Sequence, residues 1–209
     1  MNNKINYQKK LDQLLESIEG TPKLLLHSCC GPCSSYILEY LTEYFEIFLL
    51  YYNPNIYPEK EYWRRLEEQK DVIGKIEKAN PIHMIEGEFE PKDFYDSVKG
   101  LEDSGEGSER CFSCYRFRLE EAAKKGKEKG CDYFTTTLSI SPYKNASKLN
   151  EIGQVMEEKY NIKYLYSDFK KKGGYQRSLE LSRDYDLYRQ DYCGCVFSKK
   201  ERDERIEKR

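Results

Sequence analysis

The sequence predicts an α/β fold: a mostly parallel five-stranded sheet with helices on both faces. Two observations carry this. Short apolar runs alternate with helix-period segments along most of the chain. At 209 residues and 38% hydrophobic content, the chain is long enough for one domain with a sizeable core.

The first strand is Lys23–His27 (KLLLH), an apolar run after Pro22. The second is Glu46–Tyr52, ended by Asn53-Pro54-Asn55. Pro81–Ile85, Asp132–Leu138 and Lys163–Tyr166 supply three more. Between them lie helical stretches. Ser34–Tyr44 follows strand one, and Glu59–Lys78 carries Tyr62, Leu66, Ile73 and Ile76 on one face, with Pro58 near its start. Glu109–Lys129, Ala146–Tyr160 and Tyr175–Tyr185 complete the set. The polar, glycine-rich Gly100–Ser108 reads as a flexible loop, and Gly173-Gly174 as a break. The chain 1–209 is read as one domain, with an N-terminal helix over 1–20. Its end, 187–209, is an irregular segment covering the site and then a charged tail from Ser198, partly helical or frayed.

Charged residues make up 34% of the chain, but the formal net charge is only −2, so any nucleic-acid footprint must be a local patch. No apolar run approaches a membrane span, and Met1–Glu19 is too polar for a signal peptide. A cytoplasmic location is expected, where thiols stay reduced. Eight cysteines there point to metal or redox chemistry before disulfides. The 19 tyrosines suit either base stacking or ordinary packing.

Seven of those cysteines fall in three groups. His27-Ser28-Cys29-Cys30-Gly31-Pro32-Cys33 follows strand one, Cys111-Phe112-Ser113-Cys114 opens the third long helix, and Cys193-Gly194-Cys195 lies near the C-terminus. Cys131 stands alone and reads as a buried apolar residue. Thiolates bind metal, and a helix start favours the thiolate. No single short motif completes a four-thiolate shell. Structural zinc is the plain alternative, but seven thiols exceed one closed zinc site, and the adjacent Cys29-Cys30 pair suits an iron–sulfur centre better.

In a Rossmann-like (HUP-type) sheet of order 3-2-1-4-5, ligands bind outside the carboxyl ends of strands one and four. That crevice would lie between His27–Cys33 and Thr135–Lys144 (TTTLSISPYK), cysteines facing a hydroxyl-rich loop with a lysine. Thr135 and Leu138 are left to strand propensity. Arg118, one turn after Cys114, is placed to offset cluster charge. Glu61 and Arg64 read as an intrahelical pair. Lys170-Lys171-Lys172, with Arg177 and Lys144, is the candidate phosphate patch, although such a run is often only a solvated loop.

These residues resemble the epoxyqueuosine reductases of the QueH type. The resemblance runs from Lys23 to Phe197 and rests on six ordered blocks. They are HSCCGPC at His27–Cys33, YNPNIYPEKEY at Tyr52–Tyr62, ERCFSCYRFRL at Glu109–Leu119, TTTLSISPYK at Thr135–Lys144, FKKKGGY at Phe169–Tyr175 and YRQDYCGC at Tyr188–Cys195. No motif cysteine is missing.

The resemblance implies reduction of the epoxide of epoxyqueuosine at the tRNA wobble position, the last step of queuosine biosynthesis. It implies a [4Fe–4S] cluster and a tRNA with a GUN anticodon, with no cobalamin; the electron donor stays unidentified. Cys29, Cys30, Cys111 and Cys114 would hold the cluster. Cys193 and Cys195, with Cys33 and Asp191, would form a redox dithiol or hold a second iron; both readings stand. His27, Tyr115, Tyr192 and Asp191 are candidate proton donors, with a backbone-bonded His27 and an Asp191–Arg189 salt bridge as plainer readings. Tyr52, Asn53, Asn55, Arg118, Thr136, Ser139, Ser141, Tyr143, Lys144, Lys171, Gly173, Gly174 and Arg177 are candidate substrate contacts, with Tyr175 and Tyr192 also available for stacking.

Two rivals share some of these features. An ATP-dependent tRNA thiolation enzyme needs a phosphate-cradling loop after strand one, where this chain has S-C-C-G-P-C, and Pro32 lacks a backbone N–H. ATP use is therefore not expected. A zinc-stabilised RNA-binding module would be colourless and indifferent to air.

Overall fold

The computed structural model describes residues 5–208; Met1–Lys4 of the expected N-terminal helix and Arg209 of the tail lie outside the described residues. Five parallel strands form the sheet: β1 (Lys23–Ser28), β2 (Glu46–Tyr51), β3 (Ile82–Glu86), β4 (Tyr133–Thr136) and β5 (Lys163–Tyr164). Their order is β3-β2-β1-β4-β5, as expected. Eight α-helices are described: α1 (Tyr7–Glu16), α2 (Gly31–Leu41), α3 (Glu59–Lys75), α4 (Pro91–Ser97), α5 (Glu109–Glu128), α6 (Ala146–Tyr160), α7 (Gly174–Asp184) and α8 (Val196–Glu207).

The apolar run in β1 needs both faces covered, and both are. Leu24 and Leu26 pack with Ile37, Leu41 and Val72 on one face. Leu25 points the other way, into a core with Phe134, Leu119 and Leu149. These two layers hold the central strands, and so the site beyond them, in place.

Several elements depart from expectation: α2 begins at Gly31 rather than Ser34 and β5 stops at Tyr164 rather than Tyr166. β4 stops at Thr136 rather than Leu138, because the Thr136 hydroxyl accepts from Leu138 N and the chain turns into a 3-10 helix over Thr137–Ile140. The short α4 carries too few residues for a readable period, and its start is marked by Pro91 and by Glu90 accepting from Lys92 N. The charged tail forms α8, begun immediately after Cys195. Gly173 is left-handed, with φ of 78°, and caps α7 rather than ending an element. Among the described residues, no helix is long and apolar enough to cross a membrane.

Candidate metal centre

β1 and β4 are parallel neighbours, with His27 opposite Thr136, and the chain leaves them in opposite directions. The crevice beyond their carboxyl ends holds Cys29 and Cys30. Cys29 N donates to Thr137 Oγ1 at 3.4 Å, joining the two strand ends. Cys30 is the N-cap of α2, whose first turn contains Pro32 and Cys33. The sulfurs of Cys29, Cys30 and Cys33 all lie within 4.8 Å of one another. Gly31 is required here: a Cβ would sit 2.9 Å from Val72 Cγ2 on α3. Behind the triad, Asn53 Nδ2 donates to Ser28 O at 2.8 Å, and the Ser28 and Ser34 hydroxyls both donate to Gln69 Oε1.

A second set lies beside it. Cys111 and Cys114, on the first two turns of α5, line a small cavity with Cys193, Cys195, Tyr115, Arg118 and Lys144. Gly107 N donates to Cys111 Sγ at 3.2 Å. Lys144 Nζ donates to Cys193 Sγ at 2.9 Å and lies 3.4 Å from Glu106. Cys195 caps α8, accepting from Ser198 N.

The segment carrying Cys193 and Cys195 is strapped to α3 and its preceding loop. Arg65 Nη1 donates to Cys193 O at 3.1 Å, Tyr57 N to Gly194 O at 2.8 Å, and Tyr192 OH to Tyr57 O at 2.6 Å. Gly194 takes φ of 137°, where a side chain is strained. The expected Glu61–Arg64 pair is corrected: Glu61 pairs with Arg65 at 2.8 Å, one residue further on and buried beneath the strap. Arg64 instead stacks on the Tyr188 ring.

Electrostatics divide the thiols. Sulfur hydrogen bonds from Cys30 and Cys33 hold the Cys29 thiol well below its usual range. The contact with Cys29 pushes Cys30 up to about 12, and contacts with Cys29 and Cys30 push Cys33 well above normal. Three adjacent thiols cannot all ionise without a cation between them. Burial raises Cys111 and takes Cys114 to about 11, with Arg118 opposing the rise in Cys114. Burial lowers Lys144, but Cys193, Tyr115 and Glu106 together outweigh that and keep its ammonium charged.

The donor set fits a thiophilic metal. All eight cysteines are free: Cys29, Cys30 and Cys33 form a close triad, Cys111, Cys114, Cys193 and Cys195 line the neighbouring cavity, and two buried cations, Arg118 and Lys144, line that cavity too. Cys131 is buried among Leu25 and Phe134, away from these groups.

Of the other candidates, His27 is fully buried, with Nε2 donating to Tyr52 O and Nδ1 against Thr136 Oγ1. Burial lowers it to about 4, so it is neutral. The plainer, backbone-bonded reading of His27 matches this geometry. Asp191 pairs with Arg202 at 2.8 Å, not with Arg189, which donates to Ser182 Oγ. Tyr115 is buried with its hydroxyl unpartnered.

Tyr52, Asn53 and Asn55 are buried, Asn53 accepting from Arg118 Nη1. Thr136 and Ser139 are also buried, Ser139 meeting Ser167. Ser141, Tyr143 and Lys144 line a cleft of about 560 Å³, together with Cys29, Cys33 and Cys193. In the lysine patch, Lys170 pairs with Asp168, Lys172 with Asp12, and Arg177 with Glu39. Lys171 and Gly173 are exposed, and Gly174 is packed against Phe169 O.

Sequence reasoning missed Gln190, whose Nε2 donates to Cys30 Sγ at 3.0 Å, and also Arg65 and Glu106. Gln190's place in the Y-R-Q-D-Y-C-G-C block was the available signal. Nothing local marked Arg65, whose contact spans 128 residues.

A doubly wound sheet with a triad of free thiols at its switch point, beside a cleft of about 560 Å³, defines an α/β protein with a candidate thiolate metal site. The model of the family described as "Epoxyqueuosine reductase QueH" matches residues 24–201. An epoxyqueuosine reductase QueH from Staphylococcus epidermidis is 46% identical over 204 residues, covering 94% of this chain and 86% of its own. One from Streptococcus pyogenes is 41% identical, covering 95% and 80%. One from Thermotoga maritima is 38% identical over 188 residues, covering 87% and 93%. The chain belongs to the QueH family of epoxyqueuosine reductases.

Proposed function

We propose that this chain reduces the epoxide of epoxyqueuosine in tRNA, at the wobble position of a GUN anticodon, to the cyclopentene of queuosine. The observation that carries the reading is the close triad of Cys29, Cys30 and Cys33 beside a cavity lined by four further thiols, in a QueH-family chain. Two electrons and two protons are consumed: both epoxide C–O bonds break, a carbon–carbon double bond forms, and the oxygen leaves as water. An external donor supplies the electrons, and the cytoplasm, where thiols stay reduced, is the compartment that suits the site.

A [4Fe–4S] cluster, when bound, would pass those electrons one at a time. Cys29, Cys30, Cys111 and Cys114 are the four ligands the motifs suggest. The structure adds Cys33 to the first pair and Cys193 and Cys195 to the second. The surplus thiols suit a second iron better than a disulfide, because Cys193 Sγ meets Lys144 while Cys195 Sγ meets Ser198. Asp191 would have to release Arg202 to join them.

The side chains divide the remaining work. Tyr115 offers the proton to the departing oxygen: its hydroxyl is free, and burial keeps it protonated at neutral pH. Lys144 holds positive charge beside Cys193, where the leaving oxygen gains negative charge. Tyr192 has its hydroxyl on Tyr57 O and serves the strap.

The test is anaerobic. Iron-loaded protein reduced with dithionite should convert epoxyqueuosine-bearing tRNA to queuosine-bearing tRNA, read by mass after digestion. Iron-replete protein that yields no queuosine would overturn the reading.

A further inference from the structure

The sequence placed the RNA contact on the lysine run at 170–172, yet Lys170, Lys172 and Arg177 all have carboxylate partners. Among the described residues of that run only Lys171 is without one, and a denser group of cations lies elsewhere. The cleft above the triad is lined by Arg118, Lys144, Arg189, Arg202 and Arg205, against two carboxylates, Glu106 and Asp191. In a chain of net charge −2, this is a concentration of the opposite sign.

The five cations are not equivalent. Arg118 and Lys144 are buried against the thiols. Arg202 is taken by Asp191 and Asp203. Arg189 and Arg205 are exposed, and among the described residues neither has a carboxylate partner. Arg205 donates only to Glu201 O within α8, and Arg189 to Ser182 Oγ. The same cleft carries Tyr143, 80% exposed on its rim, and Tyr175. Arg205 also stands beyond residue 201, the last the family model matches.

We propose that Arg189 and Arg205 are RNA-backbone contacts, seating phosphates beside the nucleotide that enters the cleft, with Tyr143 as a stacking face for a neighbouring base. This deepens the proposed function and rests on it. Two free guanidiniums and an exposed aromatic at one opening match a single-stranded segment, whose charge lies on its phosphates and whose bases offer flat faces. α8 is then a wall of the substrate cleft and not a solvated tail.

The experiment uses the full-length, iron-loaded protein and a fluorescent anticodon stem-loop RNA. Arg205→Gln, on an exposed helix face, and Arg189→Gln/Arg205→Gln should weaken binding, the double variant by about tenfold or more. The slope of log affinity against log salt should fall by about 0.7 for each phosphate that the protein ceases to neutralise. Lys163→Glu, at the first residue of edge strand β5, is the charge control and should leave both unchanged. The visible spectrum should be that of the parent protein, and KM for tRNA should rise more than kcat falls.

Unchanged affinity and salt slope in the double variant would overturn the proposal. So would unchanged RNA affinity with slowed reduction by the electron donor, which would make this an acidic-protein surface. Queuosine formation by the parent protein is scored separately. If it fails while the variants still bind RNA more weakly, the reaction falls and the phosphate-seating role stands.

Discussion

Cys29, Cys30 and Cys33 lie within five residues of sequence, on a strand end and the helix turn after it. The other set draws on α5 and on a strap near the C-terminus, held by contacts as long as Arg65 to Cys193, 128 residues apart. The triad is thus fixed by the backbone that forms it, with the sheet beneath and Gly31 pressed against α3. The second set is fixed by contacts distant in sequence: the Lys144 side chain on one sulfur, and the Arg65 side chain and the Tyr57 backbone on the strap. Disturbance of one set should therefore be local, while disturbance of the other should propagate through whatever holds the strap.

Cysteine replacement tests this most strongly. Cys30→Ala removes the N-cap thiol of the triad and should abolish both iron retention and turnover, measured by metal analysis and queuosine formation. Cys195→Ala should abolish turnover while the broad visible absorption persists. Equal loss of all iron in both variants would show one inseparable centre and break the comparison.

Arg65→Leu comes next. It leaves Glu61 buried without its partner and should cost about 3–5 kcal/mol, read from urea denaturation of the apo protein. Alkylation of Cys193 and Cys195 should accelerate while that of the triad does not. Arg65→Lys, which keeps the charge, should restore part of the stability.

The smallest effect is the pH dependence of His27, under the triad. Its folded pKa, lowered by burial to about 4, lies below the usual value of 6.5. Between those values the unfolded chain binds the extra proton, so stability is full above pH 6.5 and declines as pH falls towards 4. The total is about 3 kcal/mol, from two to three pKa units. His27→Gln should flatten urea midpoints across that window. An unaltered slope would move the titration to another group.

The sheet order and the three cysteine groups could be read from the sequence, because apolar period and motif spacing are local signals. β1 is a clear case: one run of Leu residues, buried on both faces. The pairing of thiols could not be read, since it depends on where α5 and the strap dock. The resemblance implied Cys29 and Cys30 with Cys111 and Cys114, and Cys33 with Cys193 and Cys195; in the fold Cys33 stands with the first pair and Cys193 and Cys195 line the cavity of the second. The pairing of charges could not be read for the same reason. Lys170-Lys171-Lys172 looks free in sequence because Asp12, the partner of Lys172, is far along the chain. Arg205 looked like tail composition until α8 set it in the cleft wall.

Gly194 has a consequence beyond its own backbone angle. A Cβ there would lie 3.1 Å from Arg65 Nη1, the same nitrogen that grips the Cys193 carbonyl. Even the smallest side chain at the middle of C-G-C would press on the latch holding its first sulfur in place. The spacer between the two thiols is thus where α3 senses the strap, and a methyl group is enough to push on it.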